Sequence, residues 1–172
     1  MFLTIFDLVL ILILFLFIAF GFALGLVRTI GALLGVVIGG YLAGLFYEPF
    51  SAWLEPFFLG NINTARVMSF IIIFVVVTQL VGLIFYIVNK IFNIISIIPF
   101  TKSLNRLLGA LFGLLEGVLI LGLILYFISR FSFSDWFSGV LTASNVAHWL
   151  IAMASILTPL LPELLRQLKS VM

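Results

Sequence analysis

The stretch "LVLILILFLFIAFGFALGLVRTIGALLGVVIGGYLAGLFY", residues 8–47, decides the fold: it runs forty residues with Arg28 as its sole charge. Water cannot solvate such a surface, but a bilayer can, and a spanning helix takes about 20 apolar residues. The stretch therefore holds two spans. As one straight helix it would measure about 60 Å, twice the hydrocarbon thickness. A hairpin turning within "GLVRTIG" is expected instead, flanked by Gly25 and Gly31. Arg28 then snorkels to the headgroups as an interface anchor.

Two further runs, Val67–Val88 and Leu107–Ile128, repeat this character. With 8–27 and 29–47 they make four spans, all helical because lipid offers no partner for open backbone groups. Composition agrees over the whole chain. Of 172 residues 65% are hydrophobic and 8% charged, against about 25% charged in soluble domains. Mean hydropathy is +1.45. The expectation is one all-α integral membrane domain over residues 1–172, with the lipid bilayer as its first partner. The N-terminal "MFLTIFDLVL" has no Lys or Arg and runs into the apolar stretch, which reads as an uncleaved span rather than a signal peptide. Eight scattered Lys and Arg give a net charge of +2, with no aromatic-interleaved basic stripe, so nucleic acid is not an expected partner. The absence of Cys removes disulfides, thiolate metal sites and Cys nucleophiles.

Three shorter pieces show helical spacing between and after the spans. In "EPFSAWLEPF" the apolar residues Phe50, Trp53, Leu54 and Phe57 recur at i, i+3, i+4, i+7, with Pro49 in the first turn and Pro56 ending it. In "KIFNIISIIPF" Ile91, Ile94, Ile95 and Ile98 do the same, stopped by Pro99. A tail helix is expected at about 145–169, with Pro159 and Pro162 kinking or dividing it. These read as short amphipathic helices in the membrane interface. Ordinary packing helices are the alternative, and residues 146–165 could form a fifth span, although His148, Pro159, Pro162 and Glu163 suit that poorly.

Orientation follows from Lys and Arg in short connections. Arg28 lies in the first turn, and Lys90, Lys102 and Arg106, a second interface anchor, lie around the third connection. Those connections share a side, which is read as cytoplasmic. Residues 48–66, with Glu48 and Glu55, the N-terminus and, with four spans, the C-terminus then face outward.

Within a bilayer, helices associate where small residues let backbones approach. Gly31, Gly35 and Gly39 form one ladder and Gly109, Gly113 and Gly117 another. Gly40 and Gly44 lie nearly opposite the first ladder, so the second span is expected to have close neighbours on two sides. The ladders serve either packing within the chain or a homo-oligomer seam.

The polar inventory of the spans centres on Glu116, Gln79 and Thr78, all near mid-depth. Glu116 lies beside the glycine face of its helix and so points toward protein. It is read either as a neutral fastener hydrogen-bonded to Gln79 or as an ionised group in a wet path. Asp7 and Arg28 lie near opposite ends of the first span. His148 is the only His, and no metal set can be built from it. No nucleophile elbow, HExxH or Gly-rich phosphate loop occurs. No catalytic, metal or cofactor residues are therefore expected, and the chain reads as non-enzymatic.

The order of these features resembles the colicin V production protein family. "FDLVLILILFLFIAFGFALGLVRTIGALLG" carries an early acid, a long apolar run and a Gly-rich turn, here Asp7, Gly21, Gly25, Val27 and Arg28. "NRLLGALFGLLEGVLIL" is similar to the second hallmark, here Asn105, Arg106, Leu107, Leu108, Gly109, Gly113 and Gly117. The family often carries Asp at the position of Asn105 and a basic residue at that of Glu116, which argues against one fixed carboxylate chemistry there. The resemblance implies a bacterial inner-membrane, multi-pass accessory or scaffold protein required for peptide-toxin production and linked to envelope integrity, with no defined catalytic residues. The alternative from the residues is a small oligomeric channel or transporter with Glu116, Gln79 and Thr78 lining its path.

Overall fold

The computed structural model describes residues 4–92, 102–131 and 135–155. They form α1 (Ile5–Leu24), α2 (Leu26–Leu54), a 3-10 turn (Glu55–Phe58), α3 (Ile62–Phe92), α4 (Lys102–Arg130), α5 (Asp135–Ala143) and α6 (Asn145–Ala154), and no strand occurs among them. α1 to α4 are each long and apolar enough to cross a membrane. The protein is an all-α, multi-pass membrane protein.

The helices pack as two pairs, α1 along α4 and α2 along α3, joined by an α2–α4 seam. Their directions follow from which residues meet. Gly25 lies against Asn105, and Gly113 against Phe17, so α1 and α4 are antiparallel. Gly31, Gly35 and Gly39 meet Phe85, Thr78 and Phe74 in that order, so α2 and α3 are antiparallel as well. Leu26 lies beside Asn105 and Gly40 beside Leu123, which makes α2 and α4 parallel. One end of the bundle, the Gly25 end, thus gathers the α1–α2 break, the end of α3 and the start of α4. The Asp7 end gathers the start of α1, the Glu55–Phe58 turn, the end of α4, and Ser144 at the start of α6.

The core lies toward the Asp7 end. Phe70 and Phe127 stack with centroids 3.9 Å apart and planes within 9°, and Tyr47 meets Phe127 edge-on at 5.0 Å. Phe74, Val36, Ala43 and Leu123 belong to the same cluster. A second cluster, including Leu10, Leu125, Ala147 and Leu150, holds α6 against α1 and α4. Phe15, Phe20, Leu80, Leu107 and many like them remain exposed, as a lipid-facing surface requires.

Three expectations are corrected or bounded. The first break is a single residue, Gly25, three positions before Arg28. Its φ of +79° with ψ of 175° suits glycine, and Arg28 and Gly31 both sit within α2. Arg28 drew the expected boundary because charge is the visible feature there, but charge does not break a helix. "EPFSAWLEPF" is not a separate helix, since α2 runs straight through Pro49 to Leu54. The Ser51 hydroxyl donates to the Glu48 carbonyl at 2.7 Å, Phe50 stacks on Trp53, and Trp53 meets Phe57 at a tilt. The chain turns only at Leu59 and Gly60, both with positive φ. In "KIFNIISIIPF", α3 continues to Phe92 and the remainder lies outside the described residues. Of the tail at 145–169, α6 covers Asn145–Ala154; residues 156–172, with Pro159 and Pro162, lie outside them too. α6 behaves as a packing helix. Ala147 and Leu150 are fully buried, and Gly122 of α4 receives the backbone of Leu150.

Candidate functional site

A cavity of about 650 Å³ opens in the Gly25 half of the bundle. All four spans contribute to it: Phe17, Phe20 and Leu24 from α1, Arg28 and Thr29 from α2, Thr78, Gln79, Leu83 and Tyr86 from α3, and Glu116 from α4. It exists because the helix pairs diverge. α1 and α2 leave Gly25 in different directions, α2 takes α3 with it, and α1 stays with α4. No extended contact closes α1 against α3. Every lining residue lies between mid-span and the Gly25 end, and the Phe70–Phe74–Phe127 cluster fills the bundle beyond them.

The three polar residues singled out at mid-depth, Glu116, Gln79 and Thr78, therefore share one cavity, and Arg28 joins them there. Arg28 is more than an end anchor. Its guanidinium lies 5.7 Å from the Tyr86 ring centroid, at the cavity mouth. The hydroxyls are engaged locally. Thr78 Oγ1 donates to the Gly35 carbonyl at 3.3 Å, which ties α3 to α2, and Thr29 Oγ1 donates to the Leu26 carbonyl at 2.9 Å. The expected fastener between Glu116 and Gln79 is not formed. Among the described residues, the side chains of Arg28, Gln79 and Glu116 have no hydrogen-bond partner, and no ion pair joins Arg28 to Glu116. The cavity thus presents an exposed cation and a partly buried acid, neither hydrogen-bonded nor ion-paired among the described residues.

The glycine ladders build the walls. A Cβ on Gly21 would collide with the Gly109 carbonyl, and one on Gly109 with that of Gly21. Gly113 receives the Phe17 backbone, and Gly117 the Phe17 ring. On α2, Gly31, Gly35 and Gly39 receive Phe85, Thr78 and Phe74, while Gly40 faces Leu123. The second span does have close neighbours on two sides, as its glycines indicate, and both ladders are filled within the chain. Arg106 lies outside the cavity with its guanidinium 5.8 Å from the Phe22 ring centroid.

The family model for colicin V production protein matches residues 6–155. The chain belongs to the colicin V production protein family. No curated protein and no solved structure matches it. The two family-like stretches now have a physical relation. Asn105 Oδ1 accepts from the Leu26 amide at 3.1 Å, so the second stretch caps the helix that starts at the break in the first. Gly109 and Gly113 then bring the same two stretches into backbone contact.

Asp7, the acid at the start of the first family-like stretch, has a role that the sequence reading missed. It is fully buried. Its Oδ2 accepts from the Thr4 amide and hydroxyl, each at 2.8 Å, while its Oδ1 accepts from the Ser144 hydroxyl at 2.6 Å and the Val146 amide at 3.0 Å. Ser144 in turn caps α6, accepting from Ala147 at 3.0 Å. One carboxylate thus serves two helix starts, α1 through a capping box and α6 through its exposed first-turn donors. The local half was visible as Thr4-x-x-Asp7; the half that reaches Ser144 was not.

Proposed function

We propose that this chain is a non-enzymatic inner-membrane accessory protein for production of a colicin V-type peptide toxin and for envelope upkeep, and that it acts by binding. The observation that carries this reading is the cavity: it holds Arg28 and Glu116 with no hydrogen bond or ion pair to the described residues and stops at mid-depth against aromatic side chains. Its threonine hydroxyls favour binding over reaction, because Thr29 and Thr78 donate to backbone carbonyls. Family membership supports the toxin-production setting. Partners are the bilayer and other membrane proteins. Self-association would have to use the lipid-facing surface, since the ladders are occupied.

The orientation belongs to the same reading. Arg28, Lys90, Lys102 and Arg106 gather at the Gly25 end, which we assign to the cytoplasm. The cavity then opens toward the cytoplasmic half of the bilayer, with the N-terminus and the Glu55–Phe58 turn outside.

A second reading, the small oligomeric channel or transporter, draws on the same cavity, because Glu116, Gln79 and Thr78 all line it. Purified protein in liposomes separates the two. Imposed proton and potassium gradients should persist; their dissipation would overturn the binding reading in favour of the channel.

A further inference from the structure

We propose that the cavity binds the headgroup of an aminophospholipid, with the phosphate on Arg28 and the primary ammonium on Glu116, entering sideways between α1 and α3. This deepens the binding reading above and rests on it. Three observations converge on that ligand.

The first is access. Among the described residues no extended contact closes α1 against α3, so the cavity is open along its side as well as toward the Gly25 end. The second is charge. Arg28 and Glu116 share the cavity yet make no ion pair and have no hydrogen-bond partner among the described residues. A simple anion would satisfy Arg28 and meet the acid; a simple cation would do the reverse. A zwitterion satisfies both. A guanidinium suits a phosphate through paired N–H donors, and a carboxylate suits a primary ammonium, which offers three N–H groups where a quaternary one offers none. The third is depth and wall chemistry. Arg28 lies over Tyr86, and Gln79 stands seven residues further into the membrane on the same helix, about 10 Å along the axis. A headgroup bent inward, with the reach of two long side chains, covers that interval. Phe17, Phe20, Leu24 and Leu83 supply an apolar wall for the glycerol and upper acyl segments. A soluble zwitterion would gain nothing from that wall, so a lipid is the favoured source.

The test uses the full-length chain in a neutral detergent, equilibrated with equal amounts of phosphatidylethanolamine, phosphatidylglycerol and phosphatidylcholine of identical acyl chains. Retained lipid is counted by native mass spectrometry. Phosphatidylethanolamine should be retained about tenfold over the other two, the scale of one charge-assisted hydrogen bond. Glu116→Gln should abolish that preference while leaving retention of phosphatidylglycerol intact or raised, and Arg28→Gln should lower retention of all three. Leu83→Trp, which fills the cavity without touching a charge, should lower retention and so serves where a charge variant fails to assemble. Equal retention of the three lipids by the unaltered chain, or an unchanged preference in an assembled Glu116→Gln, would overturn the proposal. Displacement of bound lipid by glycerophosphoethanolamine would overturn the lipid assignment in favour of a soluble zwitterion. Gradient loss in liposomes bears on the binding reading alone, because lipid preference is measured without flux.

Discussion

Asp7 concentrates more of the fold than any other polar residue described, because it is buried and accepts from four donors on two helix starts. Removing a carboxylate that satisfies buried donors leaves those donors unpaired, which is worse than never having had the bond. Asp7→Ala should therefore markedly lower the melting temperature in detergent, and Ser144→Ala should lower it less. The double variant should fall little further than Asp7→Ala, because both substitutions break one network. Additive losses would show that the two residues act apart. Asn105 is the smaller counterpart at the other end. Its carbonyl caps α2 through Leu26, so Asn105→Ala should cost about 1 kcal/mol. Asn105→Asp keeps an acceptor and adds charge at a helix N-terminus, where it is favourable, so it should match the unaltered chain. An Asp variant as unstable as the Ala variant would refute the cap.

At the scale of elements, glycine position decides which helices meet. Gly21 and Gly109 pack backbone on backbone, so even a methyl group at either would drive α1 from α4. Gly82, in the middle of α3, has nothing within 4 Å of where its Cβ would stand. Gly21→Ala should therefore destabilise the bundle, while Gly82→Ala should be neutral or stabilising by up to about 1 kcal/mol through helix propensity. The same unfolding measurement checks both; equal effects would mean that the crossing is not as close as Gly21 and Gly109 place it. This pair also shows what sequence could reveal. Apolar content alone exposed the four spans, because lipid permits only helices there. The ladders revealed that helices approach closely, but not which helices. One ladder meets Phe17, Gly21 and Gly25, and the other meets Phe and Thr of α3, a choice made by packing across the whole bundle. The Asp7–Ser144 bond joins residues 137 apart and has no local signature beyond the Thr4 half of the box. The cavity was legible only as a set of polar residues at one depth. Its existence depends on α1 and α2 diverging at Gly25, which a single φ angle sets.

Across the whole molecule, the alternation of the four spans places every charged connection at one end or the other, and the two ends differ. Among the described residues the Gly25 end carries Arg28, Lys90, Lys102 and Arg106 and no acid, whereas the Asp7 end carries Glu48, Glu55, Asp135 and the buried Asp7 beside Arg66 and Arg130. Arg66 is further discounted there, since it pairs with Glu48 at 3.4 Å. Cytoplasmic loops hold the excess of Lys and Arg, so the Gly25 end should face the cytoplasm. The chain contains no Cys, which makes single-cysteine labelling direct. Leu59, fully exposed in the turn between α2 and α3, and Ser103, exposed in the first turn of α4, report the two ends. In cells whose inner membrane is intact, a membrane-impermeant maleimide should label Leu59→Cys and spare Ser103→Cys until lysis. The reverse pattern would invert the orientation and turn the cavity toward the outer half of the bilayer. Labelling of both before lysis would break the four-span alternation itself, because α3 would then fail to cross between the two sites.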